Sequence, residues 1–367
     1  MDDKTYFIGF LLITAILIGG LAAISFIEDP AHRFNSHYEE GIAEILFSGA
    51  NVANINNYDE RVLQKEIIQR GNRSFDVIVL GSSRSMQINH KCEILSDNNS
   101  FFNHAVSGGT LEDYIAILAL YLGNKEIPEE IIIGVDPWIF NKNNQQNRWM
   151  SLKDEYQKGL DIIYSGKNLD ENRTNTPPYK YINYKYSPYL SLISRPIILK
   201  SIQMLVFSDN DEYYPTKLEE GEIAIKLTDG SLSYPNSSEN NTISDIDAMA
   251  IDYANSNPIY SLGNYNEVDE GLKASFEQTI RYLKSKNAEI VLYLPSYHPI
   301  VYEKIKSDPK YSNVLVVESY LKEFSKSENI TCIGSYDPEK LNLTSEDFYD
   351  GMHPSRRGTE KIFTLKI

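Results

Sequence analysis

An unbroken apolar run opens the chain: Tyr6 to Ile27 carries no charged residue over 22 positions. As a helix it spans about 33 Å at ~1.5 Å per residue, one bilayer crossing. Residues 1–28 therefore read as a retained membrane anchor. A cleaved signal peptide is the rival reading, because Gly20-Leu21-Ala22 is a small-x-small site, although Asp2-Asp3-Lys4 is not the basic segment such a peptide carries. Lys4 on one side and His32 and Arg33 on the other leave the orientation unfixed by charge. Polar residues dominate from there to Ser74. Helical spacing predicts helices over 37–46 and 60–70, separated by the Asn-rich break Ala50–Asn57, so residues 29–74 read as a helical stalk that packs onto the domain after it.

From Phe75 the period changes. Asp76–Gly81 (DVIVLG) is a continuous apolar run ending in glycine, the pattern of a buried parallel strand, and Ser100–Ala105 and Glu130–Asp136 (EIIIGVD) follow it. Thr110–Leu122 between them has Glu112 and Asp113 in its first turn and Ile115, Leu118 and Leu122 at helical spacing. Further helices are predicted over 271–286 and 313–327, and strands over 288–295 and 330–334. Strands alternating with helices predict an α/β domain, a doubly wound parallel sheet, over residues 75–367. Residues 141–261 break the alternation. They are rich in Tyr, Asn and Ser, and are too long for a plain loop, so they read as an insertion with helix around 190–207. The tyrosines fit either sugar-stacking platforms or ordinary packing.

The formal charge of −16, from 35 Lys plus Arg against 51 Asp plus Glu, argues against a nucleic-acid surface, which needs a basic footprint. Cys92 and Cys332 stand apart and in no Cys/His cluster, so no structural zinc site or disulfide framework is supported. GSSRS after the first strand lacks the Gly-x-Gly-x-x-Gly of a dinucleotide site, and there is no P-loop.

Three segments could carry chemistry, each just after a predicted strand, at the edge where open α/β sheets place their sites. Gly81-Ser82-Ser83-Arg84-Ser85 puts a hydroxyl directly after a glycine turn; capping of a following helix is its plain alternative. Asn103-His104-Ala105-Val106-Ser107-Gly108-Gly109-Thr110 can turn backbone N–H groups toward a ligand. Asp350-Gly351-Met352-His353-Pro354 sets a histidine three residues after a carboxylate able to fix its tautomer. His298, in Tyr297-His298-Pro299, falls at the same edge and reads as a structural or supporting residue; no spaced ligand pair for a metal accompanies it. Arg84 either meets an anionic substrate group or pairs with a carboxylate.

Taken in order, these segments resemble the SGNH, or GDSL-type, hydrolase superfamily, an α/β/α sandwich. The resemblance implies a nucleophile at Ser83, with Ser82 in place of the usual Asp, oxyanion donors in the backbone N–H groups of Ser83 and Gly108, and a histidine–carboxylate pair in His353 and Asp350. One departure stands out. The family's third block, Gly-x-Asn-Asp, carries a further oxyanion donor in its Asn, whereas this chain has Gly134-Val135-Asp136-Pro137-Trp138-Ile139-Phe140-Asn141. An ionised Asp136 would repel an oxyanion, so Asp136 points elsewhere, or Asn141 or the insertion supplies a donor, or activity is reduced.

The anchor, Asp29-Pro30, IGVDPWIFN and YLPSYHP further resemble the anchored, envelope-facing branch, similar to the D-alanyl transfer protein of lipoteichoic acid synthesis and to exopolysaccharide acetyltransferases. That resemblance implies a membrane-anchored, extracytoplasmic serine esterase or O-acyltransferase acting on an acylated glycan or envelope polymer, without cofactor, alongside a membrane-bound acyltransferase or synthase. A non-catalytic envelope protein that binds glycan or scaffolds polysaccharide assembly is the alternative.

Overall fold

Runs such as Ile131-Ile132-Ile133 offer no polar face to water, so the strands they form must be covered on both sides. The computed structural model describes residues 3–34, 37–71, 74–92, 100–124, 127–165, 178–207, 213–235 and 241–365. Its elements begin with α1 (Asp3–Glu28), α2 (Tyr38–Phe47), β1 (Asn51–Ala53), α3 (Glu60–Arg70), β2 (Val77–Leu80), β3 (Phe101–Asn103), α4 (Leu111–Asn124) and β4 (Glu130–Gly134). The insertion contributes α5 (Lys153–Ile163), α6 (Pro178–Ser191), α7 (Arg195–Phe207), β5 (Tyr214–Thr216), β6 (Ile225–Lys226), β7 (Leu232–Ser233) and α8 (Ile243–Asn255). The chain closes with α9 (Glu270–Ser285), β8 (Glu289–Leu294), α10 (Pro299–Ser307), α11 (Ser312–Glu328), β9 (Thr331–Gly334) and α12 (Arg356–Thr364).

The protein is mixed α/β, built on a five-stranded parallel sheet in the order β3-β2-β4-β8-β9. Register pairs Leu80 with Ile133 and Gly134 with Tyr293, so the loops after β2, β4 and β8 leave the sheet at one edge. Because side chains alternate along a strand, two clusters form. Ile78, Leu80, Ile131, Ile133 and Leu292 pack with Ile115 and Leu118 of α4, Phe276 and Ile280 of α9 and Val317 and Leu321 of α11. Val77, Val79, Ile132, Val291 and Tyr293 pack instead with Ile362 and Phe363 of α12. Each fully buried Val or Ile here contributes roughly 1.5–3 kcal/mol of transfer free energy.

Helix α1 is long and apolar enough to cross a membrane, with a mean hydropathy of 2.6 over its best window. The segment after it packs onto the domain. Ile42, Leu46, Leu63 and Ile67 belong to the larger core cluster, and β1, inside the stretch predicted as an Asn-rich break, is the second strand of an antiparallel sheet ordered β5-β1-β6-β7. Asn51 donates to Leu218 O at 2.9 Å and accepts from Thr228 N at 2.9 Å, partners 167 and 177 residues distant. A three-residue strand whose partners lie that far away leaves no periodic signal. Of the Tyr-rich run 175–190, residues 175–177 lie outside those described and the remainder is in α6.

Candidate active site

Ser83 opens a single 3₁₀ turn directly after β2. Ser82 caps that turn through its hydroxyl, which accepts from Arg84 N at 3.1 Å, and the backbone of Ser82 is extended, so the next side chain stands out of the loop. Ser83 is half-buried among buried neighbours. Gly81 is required: a Cβ there would collide with the Ser85 side chain.

Ser83 Oγ lies 2.9 Å from His353 Nε2, and His353 Nδ1 lies 2.8 Å from Asp350 Oδ2. The other oxygen of Asp350 accepts from the N–H groups of Met352 and His353 at 2.7 and 2.8 Å. Burial would push the Asp350 carboxyl up, but the His353 side chain and these two N–H groups outweigh it and hold the carboxyl down at about 2. A carboxylate so placed keeps the proton of the neutral imidazole on Nδ1 and leaves Nε2 free to accept from the serine. The loop carrying the pair is braced by Tyr349 N donating to His353 O at 2.9 Å and by Ser355, which caps α12 by accepting from Gly358 N at 3.1 Å. A Cβ on Gly358 would strike the Asp347 carbonyl, which is why a glycine follows the histidine at that spacing.

The second turn packs against the first. Val106 N donates to Gly81 O at 3.0 Å and Gly109 N donates to Val106 O at 3.0 Å. Asn103 spans both turns, donating to Ser85 O and Ile88 O at 2.9 and 2.8 Å and accepting from Ala105 N at 2.8 Å. Gly108 has φ +60°, a left-handed conformation that side chains resist. Among the described residues, no group accepts from the N–H of Ser83 or of Gly108. Two free N–H groups on adjoining turns are the raw material of an oxyanion site.

The helix read as part of a stalk holds this second turn. Glu60, at the start of α3, accepts from Ser107 Oγ at 2.7 Å and from Ser107 N. Arg61 donates to Ser107 O at 2.9 Å and forms a two-pronged pair with buried Asp113, which itself accepts from Thr110 N. Trp138 Nε1 adds a bond to Gly109 O at 3.1 Å. Glu60, Arg61 and Trp138 escape a reading of the sequence, because nothing local to them marks a neighbour some 30 to 50 positions away.

Arg84, Asp136 and Asn141 are bonded within the protein. Arg84 is not available to a substrate: its side chain is fully buried and donates to Asp136 at 2.7 Å, Met352 O at 3.0 Å and Pro295 O at 2.5 Å, with its guanidinium 3.9 Å from the Tyr297 ring. It therefore knits the loops after β2, β4 and β8 to the His353 loop. Asp136 is turned into that ion pair. Burial pushes its carboxyl up and Arg84 opposes the shift. Asn141 is not an oxyanion donor either; it donates to Ser261 O and Gly263 O at 3.0 and 3.1 Å, closing the ends of the insertion. Insertion residues stand beside Gly108: a Cβ on Gly108 would meet Arg148 Nη2 and Tyr260 Oη.

His298 caps α10, its Nδ1 accepting from Ile300 N at 3.3 Å, with Nε2 3.4 Å from Asp247. Burial lowers its basicity, and its N–H donates to Gly351 O at 3.4 Å, so it supports the loop that carries Asp350. Among the described residues no group of His, Cys, Asp and Glu is placed to hold a metal. Tyr234, just after β7, packs at a tilt against Tyr349, ring centres 4.8 Å apart, and its ring lies 6.1 Å from that of His353, bringing the insertion to the rim of the site.

Residues 48–365 match a family described as a protein of unknown function (DUF1574), and the chain belongs to it. No curated protein matches the chain.

Proposed function

We propose that this member of the DUF1574 family is a serine esterase or O-acyltransferase of SGNH type, held to a membrane by α1 and working on acyl esters of an extracytoplasmic glycan or envelope polymer. In this reading the five-stranded sheet is the centre of a doubly wound α/β/α sandwich. The observation that carries it is the continuous run Ser83–His353–Asp350, at 2.9 and 2.8 Å, beside two N–H groups that have no acceptor among the described residues.

His353 Nε2 takes the Ser83 proton as Oγ attacks the ester carbonyl. The negative charge that develops on the carbonyl oxygen is held by the N–H of Ser83 and Gly108, one donor fewer than the three-donor sites of the superfamily; a missing donor typically costs ~3 kcal/mol. Collapse breaks the ester C–O bond, and His353 returns its proton to the leaving alkoxide. Water or a sugar hydroxyl then attacks the acyl-serine by the same route in reverse, which gives hydrolysis or transfer. The chemistry requires no cofactor. Arg148 and Tyr260, beside Gly108, and Tyr234, beside His353, are the insertion residues a bound polymer would meet in this reading, and a membrane-bound acyltransferase or synthase is the partner this role implies.

The test is covalent labelling of the full chain by a fluorophosphonate, with p-nitrophenyl acetate turnover in parallel. Wild type is expected to label and turn over, and Ser83→Ala and His353→Ala to do neither. A folded wild type that neither labels nor cleaves acyl esters overturns the catalytic reading and leaves a glycan-binding scaffold as the better account.

A further inference from the structure

Soluble domains rarely leave broad apolar surfaces open to water. Apart from those of α1, exposed large apolar side chains among the described residues cluster on the insertion. Leu190 is 69% exposed, Ile193 53%, Leu199 56%, Leu205 55% and Val206 63%, all within α6, α7 and the bend between them. Leu199, Ile202 and Val206 recur at helical spacing on one face of α7. The opposite face is occupied, since Ser201 is fully buried and Ile197 and Met204 half-buried.

What covers that opposite face is α1 itself, with which α7 is in contact. On α1, Ser25 is buried and Leu21, Ala22 and Glu28 are half-buried, so one side of the half nearest the domain meets a neighbour. Small residues at both contacts, Ser25 and Ser201, allow the close approach typical of helices packed in lipid. The bend is fixed at the same level: Arg33 donates to Ser191 Oγ at 3.3 Å, and the Phe34 ring lies 5.3 Å from Tyr189 and 4.8 Å from Phe26. Together, Tyr184–Ser191 and Arg195–Val206 are apolar enough to enter a membrane, bent at 53° where they join. Helix α7, with 13 residues, reaches about 20 Å at ~1.5 Å per residue, less than the ~30 Å hydrocarbon core.

We propose that the bent α6–α7 pair is a second membrane element, seated in one leaflet against α1, with Leu199, Leu205 and Val206 in lipid. The occupant of the exposed face is lipid rather than protein because α7 lies along a helix that itself meets lipid on its other sides. The chain is then held at two places instead of one and cannot swivel about its anchor. Tyr184, in the first half of the pair, lies beside Ser151, whose hydroxyl donates to Asp59, the cap of α3, at 3.3 Å. That linkage sets the height of the Ser107–Gly108 turn above the bilayer, so the site is presented to acyl chains or polymers at the membrane surface. The inference rests on the membrane-anchored reading of α1 and not on catalysis.

The experiment uses the full chain in phosphatidylcholine vesicles, with Cys332 replaced by Ala; Cys92 is buried, with its thiol pushed up to about 12, and does not label. An environment-sensitive fluorophore is placed on Leu199→Cys and Val206→Cys, on Ile18→Cys in α1, and on Val316→Cys in α11, all exposed positions. Nitroxide-bearing lipids are expected to quench the probe at 199 and 206 as strongly as at 18, and to leave the probe at 316 unaffected. Quenching at 18 without quenching at 199 and 206 overturns the proposal: red-shifted emission there would put the pair in water, and blue-shifted emission would put it against a second copy or another protein. No quenching at 18 removes the anchor as well, and both readings fail together.

Discussion

Replacing Asp350 by Asn tests the proposed site most directly, because the structure dictates how the amide must sit. Asp350 Oδ1 accepts from the N–H of Met352 and His353 at 2.7 and 2.8 Å, so the Asn oxygen is held on that side and its NH₂ must face His353 Nδ1. A donor facing Nδ1 forces the imidazole proton onto Nε2, where it points at Ser83 Oγ across 2.9 Å and cannot take the serine proton. In serine-protease triads the same Asp-to-Asn exchange selects the wrong tautomer and costs about 10⁴ in kcat, or about 5.5 kcal/mol at 1.36 kcal/mol per decade. A loss of ~10³–10⁴ in fluorophosphonate labelling rate and ester turnover is expected here. Asp350→Ala, which leaves the tautomer free, should be impaired no more than Asp350→Asn. The same carboxyl also links stability to pH. Its folded value of about 2 lies below the ordinary 3.8, so it stabilises the native state above about pH 4, and this contribution is lost as pH falls through about 2. Wild type and Asp350→Asn should therefore converge in stability in strong acid. Asp350→Asn activity within tenfold of wild type, while Ser83→Ala and His353→Ala are inactive, would refute the orienting role.

Other outcomes follow from the same contacts. Gly108→Ala places a side chain at φ +60° and against Arg148 and Tyr260, so it should destabilise by about 1–2 kcal/mol and cut turnover; an unchanged thermal midpoint and rate would contradict this. Glu60→Ala should lower kcat by roughly tenfold to a hundredfold with little change in KM, because it loosens the turn that carries the Gly108 donor without removing the donor; a change confined to KM would place Glu60 in substrate binding instead. Arg84→Met leaves Asp136 charged and buried and should cost about 3–5 kcal/mol in denaturant titration, much of it recovered in Arg84→Met/Asp136→Leu; a single variant within about 1 kcal/mol of wild type would show that the pair is not structural.

The boundaries of α3, β8 and α11 fall within a residue or two of where spacing predicts them, because each is a long run whose apolar period is a local property of the chain. Ser83, Asp350 and His353 can be found in the same way, since each belongs to a short segment with its own turn chemistry: a glycine before the serine, a capping serine and a glycine after the histidine. The apolar stretch of α1 is likewise written in consecutive residues. Other features depend on distance in the chain. Strand β1 is three residues long and exists only because β5 and β6 pair with it, the stalk helices are part of the core, and Glu60 and Arg61 reach a turn that no pattern near them announces. The directions of Arg84, Asp136 and Asn141 are equally a tertiary matter. Each carries a charge or amide that must find a partner once buried, and whether that partner is a substrate, an oxyanion or another loop is decided by which chain ends the parallel sheet brings to one edge. Composition and period therefore determined the elements, and local turn chemistry marked the segments that hold Ser83, Asp350 and His353, while the folded sheet alone decided which polar groups are consumed in holding the loops and which, like the N–H of Ser83 and Gly108, find no acceptor among the described residues.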